Sequence, residues 1–336
     1  MSKTAITASV IVALIVATYL GFYTVPDKSQ KDIPEATADH VREQPGVLST
    51  EPDKLESSRH LLPLEPLPSK PVQELTGSSV RNNTDLVYKA AGLSRMKLTE
   101  IDFSALSTFL KESPPSEDCS LGLHALKDQI IVAMIKNGAF IEELGDVFND
   151  ILSAPDQHPV LIDYVSQYIP EYFAKRWQGR DSQDQELLLK SLYNLLDQQN
   201  TSLSGTALSA LMALEKDYSS VDRSRIEEKA FQMATDNSLS QASRSQALRY
   251  LGAHSSKEGY DILESTVFSE SQPVMLRMIA VRSLADHVMS LTEKRDELIA
   301  RINTEILINS ASDKRLLSAA TAAHDILNNT QFQREK

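Results

Sequence analysis

The chain has 336 residues, with 46 acidic against 34 basic side chains and a net charge of −12 at neutral pH. That balance excludes nucleic acid as the main ligand, because phosphate binding needs clustered Lys and Arg, and it disfavours a domain lying flat on anionic lipid. Cys119 is the only cysteine, so no internal disulfide forms; this is compatible with the bacterial periplasm and unlike a disulfide-rich secreted domain.

Taken in chain order, the first element is residues 4–25, TAITASVIVALIVATYLGFYTV, without a charge. A helix rising about 1.5 Å per residue needs roughly 20 apolar residues to cross a bilayer core, and this stretch is long enough. A cleaved signal peptide would be shorter and end in a small-x-small site. Here Tyr19, Phe22 and Tyr23 stand at the end instead, residues that suit an interfacial belt. Residues 1–25 therefore read as an uncleaved signal anchor. Lys3 precedes the segment while Lys28, Lys31 and Arg42 follow it, so the positive-inside count does not favour an inside amino end. Export of a large C-terminal part is nevertheless the usual outcome for a leading anchor. The expectation is a single-pass protein of a bacterial inner membrane with its C-terminal domain in the periplasm.

Residues 26–84 change character. From Pro26 to Asn83 the chain holds 8 of its 14 prolines and no Phe, Tyr or Trp. Such a stretch buries too little apolar surface to offset chain entropy, and it is expected to be a disordered tether. Within it, Leu61-Leu62-Pro63-Leu64-Glu65-Pro66-Leu67-Pro68 reads either as plain linker or as an extended docking motif.

From Asp85 onward the periodicity is helical and no alternating strand pattern occurs. In residues 85–200, Thr99 caps a helix carrying Phe103, Leu106 and Leu110 on one side. Leu121 to Ile135 is apolar and stops at Asn137-Gly138. Phe140 to Leu152, Pro159 to Trp177 and Gln185 to Leu196 follow as amphipathic helices, and Pro170 is expected to kink the second. The fold class is all-α.

Residues 201–330 carry an internal repeat. Arg244-Ser-Gln-Ala247-Leu-Arg249-Tyr-Leu251-Gly-Ala-His254 aligns with Arg277-Met-Ile-Ala280-Val-Arg282-Ser-Leu284-Ala-Asp-His287 at an offset of 33 residues. Leu203 to Leu211 repeats the apolar frame, and Arg315 to Leu327 is a worn last copy. Companion helices lie between them at Arg225 to Ala234, Lys257 to Phe268 and Glu293 to Ile308. Each helix pair cannot cover its own apolar face and must stack on its neighbours, as in an α-solenoid.

On these residues the chain resembles the HEAT-like repeat family of the short L-R-x-x-A-x-x-x-L-G type. Leu276-Arg277, Ala280, Leu284 and Ala285 carry the pattern, as do Arg244, Ala247, Leu251 and Gly252. Ala285 departs from the Gly and Ser243 from the leading Leu. The resemblance covers roughly residues 203–327. It implies a curved stack of helix pairs that binds proteins or serves as a scaffold. Some members are lyases or hydroxylases, and the hydroxylase type holds iron with His-Glu pairs; no His-Glu dipeptide occurs here.

Arg244, Arg249, Arg277 and Arg282 form a ladder that reads as a basic groove for an acidic peptide, or as a structural stack paired with acids such as Asp261, Glu264 and Asp286. Tyr164, Tyr168 and Tyr172, followed by Phe173 and Trp177, form an aromatic stripe. Its readings are core or interface, with Tyr168, Tyr172 and Trp177 as contact residues beside Arg176. His254, His287 and His324 occupy equivalent repeat positions. Their spacing across stacked helices is too wide for a shared zinc, so helix-end histidines are expected.

No G-x-S-x-G, H-E-x-x-H, P-loop or dinucleotide-binding glycine run is present. Cys119 follows Glu117-Asp118, an acidic setting that disfavours a thiolate. The sequence reading is thus a membrane-anchored scaffold, adaptor or assembly factor with protein partners and no cofactor or metal. The alternatives are a membrane-tethered periplasmic chaperone or foldase, resting on layout alone, and an enzyme with an unrecognised site.

Overall fold

A computed structural model describes residues 66–77, 85–112, 121–182, 185–198, 202–254, 256–288, 292–308 and 313–334. The expected membrane segment and Leu61 to Glu65 of the proline-leucine motif lie outside the described residues. Among those described, no helix is long and apolar enough to cross a membrane.

The described chain is all-α, without a strand. In order the helices are α1 (Lys70–Thr76), α2 (Asp85–Ala91), α3 (Glu100–Lys111), α4 (Leu121–Asn137), α5 (Ile141–Ser153), α6 (Pro159–Trp177) and α7 (Glu186–Asp197). There follow α8 (Ser202–Leu214), α9 (Arg223–Thr235), α10 (Gln241–Ala253), α11 (Lys257–Phe268), α12 (Val274–Val288), α13 (Thr292–Arg301) and α14 (Lys314–Arg334). A π-helical turn, Ile302–Leu307, continues α13. Two rows result. The even-numbered helices α2, α4, α6, α8, α10, α12 and α14 each pack on the next, while α1, α3, α5 and α7 form a companion row that α9 and α11 continue. One apolar core runs between the rows from Val72 to Leu327. This is the helical-repeat, solenoid-like arrangement that stacked helix pairs produce.

Local chemistry accounts for the boundaries. The Thr99 hydroxyl accepts from Asp102 N at 3.2 Å and the Asp102 carboxylate accepts from Thr99 N at 3.1 Å, a closed capping box at the start of α3. Asp222, Ser240 and Ser256 cap α9, α10 and α11 with a one-way bond, their side chains accepting from Arg225, Ser243 and Gly259 N. After α4, Gly138 takes φ 71°, the left-handed conformation that glycine adopts without strain. Helix α6 runs unbroken through Pro170 from Pro159 to Trp177.

The tether was expected to extend to residue 84, but α1 (Lys70–Thr76) is a helix within that span. Pro71 sits in the first turn of α1, where its missing N–H costs nothing, and Val72 and Leu75 are fully buried. Ser69, just before this helix, donates its N–H to Asp102 at 2.6 Å. Two apolar residues in a proline-rich context thus gain a core to enter, which only the neighbouring helices supply.

Packing is closest along the even row. A Cβ added to Gly252 in α10 would lie 2.5 Å from Ser283 Cβ and 2.7 Å from Ser283 Cα in α12. A Cβ on Gly205 in α8 would lie 2.8 Å from Ser243 Cα in α10. The small residue that the repeat pattern demands after Leu251 is therefore the point at which two backbones meet.

Candidate functional site

The four repeat arginines fall into two different environments. Arg244 is buried and donates to Ala234 O through Nε and Nη2 at 3.4 and 3.3 Å and to Gln272 Oε1 at 2.8 Å. Arg277, one repeat later, donates from Nε to Val267 O at 2.9 Å. Ala234 and Val267 sit near the C-terminal ends of α9 and α11, where helix carbonyls lack intrahelical donors. Arg244 and Arg277 thus satisfy the last turn of the companion helix. Neither forms an ion pair with an acid among the described residues, and Glu264 pairs with Arg301 at 2.6 Å instead.

Arg249 and Arg282 point the other way. Both are exposed, on α10 and α12. Burial by the surrounding protein pushes the Arg249 guanidinium below its ordinary value, and the charge of Arg282 adds to the effect. The two cations sit at matching positions of helices that pack on each other. The one hydrogen bond at this pair is from Arg249 Nη1 to Gln246 Oε1, at 3.4 Å; among the described residues neither arginine has an acidic partner.

The partly or fully exposed positions of α10 and α12 match across the repeat offset: Ala242 with Met275, Gln246 with Ile279, Arg249 with Arg282 and Ala253 with Asp286. On α8 the corresponding partly or fully exposed positions are Ser202, Thr206, Ser209 and Ala213. Arg249 and Asp286 stand exposed on this face, and burial by the protein around it pushes the Asp286 carboxyl upward. Ala242, Gln246 and Ala253 flank Arg249 while Met275, Ile279 and Asp286 flank Arg282, and the opposite end of the row is acidic and aromatic. There Asp128 is half-buried and pushed up by burial, opposed by hydrogen bonds from Tyr168 and Gln129. Burial and the Asp128 charge push the Tyr168 hydroxyl up in turn.

The other aromatic positions belong to the core. Tyr172 and Trp177 are 2% and 9% exposed, which removes them as contact surfaces. Their rings meet edge to face at 5.4 Å and join Phe148, Phe173 and Tyr218 in one cluster. Each such pair stabilises by about 0.5–1.5 kcal/mol beyond its area. Arg176 lies 5.8 Å from the Trp177 ring and bridges to Glu142 at 3.0 Å.

His254 joins a buried network invisible to short-range pattern. Its Nδ1 lies 2.9 Å from Tyr250 O, and its Nε2 contacts the carboxylate of Glu215, whose side chain is 7% exposed. The Tyr250 ring stacks on the imidazole at 4.0 Å. A carbonyl only accepts, so Nδ1 donates, and the remaining nitrogen faces a second acceptor. His287 Nδ1 lies 3.2 Å from Leu251 O at the end of α10, and His324 contacts Asn303 and Asn328. Each histidine has its own partners, and among the described residues no three metal-capable side chains converge. A shallow cleft of about 390 Å³ is lined by residues including Arg277, Glu305 and Ile308. Its Glu305 is paired with Arg301 at 2.8 Å, and it presents no paired acid and base.

No protein-family model matches the chain, and no curated protein sequence does so. Among solved structures it is similar to an engineered protein, at 12% identity and a TM-score of 0.38, over 78% of this chain and 98% of that one. It is also similar to human deoxyhypusine hydroxylase in complex with glycerol, at 10% identity and a TM-score of 0.32, over 77% of this chain and 84% of that one. Likenesses this distant carry no functional argument.

Proposed function

We propose that this protein is a scaffold, adaptor or assembly factor that binds another protein on the even-numbered helix row. The observation that carries the reading is the Arg249–Arg282 pair: two exposed cations at matching repeat positions of two packed helices, without an acid partner among the described residues of a chain with net charge −12. Two like charges side by side are disfavoured in the free protein and gain on meeting a complementary surface. The uncharged stretch of residues 4–25 supports a single-pass anchor, and the expected orientation puts the repeat domain on the periplasmic side of a bacterial inner membrane.

Crosslinking of the full-length protein in native membranes, followed by mass spectrometry, tests the reading. A stoichiometric protein partner, crosslinked from α8 to α12, is the expected result. Failure to capture any specific partner would overturn it. A carbonate wash that releases the intact protein from membranes would overturn the anchor separately.

A further inference from the structure

We infer that the Arg249–Arg282 site receives an extended acidic segment of the partner protein, with two carboxylates two residues apart; this rests on the scaffold reading above. Packed helices usually lie 8–10 Å apart, and the contact of Gly252 with Ser283 puts α10 and α12 at or below the low end. Alternate side chains of an extended strand point to one side and recur at about 6.6–6.8 Å. Residues i and i+2 of such a strand, running across the two helices, place one carboxylate on each guanidinium, and the flexible arginine stems absorb the remaining ångström or two. Each guanidinium offers the planar fork that pairs with a carboxylate.

The surroundings favour this occupant over a single phosphate. Asp286 lies one turn beyond Arg282 on the same face, and the half-buried Ser209 and Gln246 and the exposed Ala253 and Thr321 bring no further cation. A dianion held between the arginines would meet the Asp286 carboxylate, whereas two separate monoanions each face one arginine. The small side chains of Ser209, Ala213 and Ala253 leave room for the peptide backbone above the helix row. Arg244 and Arg277 take no part, since their guanidinium groups are engaged on Ala234 O and Val267 O.

The test is fluorescence anisotropy with the full chain in detergent micelles and two labelled Ser/Gly peptides. One carries two glutamates separated by one serine; the other carries glutamines there. The expected result is binding of the glutamate peptide with Kd of about 1 mM or tighter, weakening as salt rises. At least a tenfold loss is expected for the glutamine peptide and for the double variant Arg249→Gln/Arg282→Gln. The variant Arg249→Lys/Arg282→Lys, which keeps charge and removes the fork, should fall between, with unchanged circular dichroism. Equal binding of the two peptides, no binding of either, no effect of the double variant, or displacement by an equal concentration of inorganic phosphate would each overturn the inference. If the double variant captures the membrane partner at full yield, this inference fails and the scaffold reading stands. If even the unmodified chain captures nothing, the scaffold reading fails.

Discussion

Replacing Gly252 by alanine sets two effects of opposite sign against each other. Gly252 lies inside α10, where alanine is intrinsically better by about 1 kcal/mol. Against that, the new methyl would meet Ser283 Cβ at 2.5 Å and Ser283 Cα and O at 2.7 Å, where carbon atoms prefer about 3.5–4.0 Å. Two of the three contacts are backbone atoms, so no rotamer change relieves them and α10 and α12 must part by about 1 Å. Overpacking of this kind costs about 1–3 kcal/mol. The separation also weakens dispersion contacts of Leu248, Leu251, Ala280 and Leu284, all fully buried. The expected net result is destabilisation by about 2 kcal/mol, a fall in melting temperature of roughly 4–8 °C for a domain of this size. Gly92→Ala is the control: nothing lies within 4 Å of the added Cβ, so it should be neutral or slightly stabilising. Urea and thermal unfolding of both variants, followed by circular dichroism, provide the comparison. A Gly252→Ala protein as stable as its parent would refute the close approach of the two helices.

Three further outcomes are expected. Burial pushes the Asp102 carboxyl up, but hydrogen bonds from Ser69 and Thr99 outweigh it and hold the group below its ordinary value. Its stabilisation is therefore present above the unfolded aspartate value near pH 4 and lost as pH falls through the lower folded value. Asp102→Asn should cost about 2 kcal/mol at neutral pH and flatten the acid limb of the stability curve; an unchanged limb would contradict the assignment. Glu215→Ala should cost about 3 kcal/mol by leaving His254 without its buried partner. Glu215→Gln, whose amide donates to a neutral imidazole, should cost less than about 1 kcal/mol, and equal urea midpoints for the two would count against the network. Trp177→Ala should lower stability by about 3–5 kcal/mol while partner capture per folded molecule stays unchanged, and selective loss of capture would show that the ring is a contact after all.

The sequence alone determined the helices from Thr99 onward, several of their caps and stops, and the 33-residue register, because periodicity, capping and glycine stops act within a few residues; the helix at Lys70–Thr76 it left in the tether. It also placed a small residue after Leu251, which the structure explains as the α10–α12 contact. Tertiary structure alone decided which arginine in each copy is free. Arg244 and Arg249 are five residues apart, roughly 140° around a helix of 3.6 residues per turn, so they stand on different sides. Which side meets the companion helix depends on where Ala234 and Val267 end their helices. The aromatic stripe was ambiguous for the same reason. The bonds from Glu215 to His254 and from Ser69 to Asp102 span 39 and 33 residues. Neither leaves a local pattern in the chain, since each partner is chosen by how the helix rows stack.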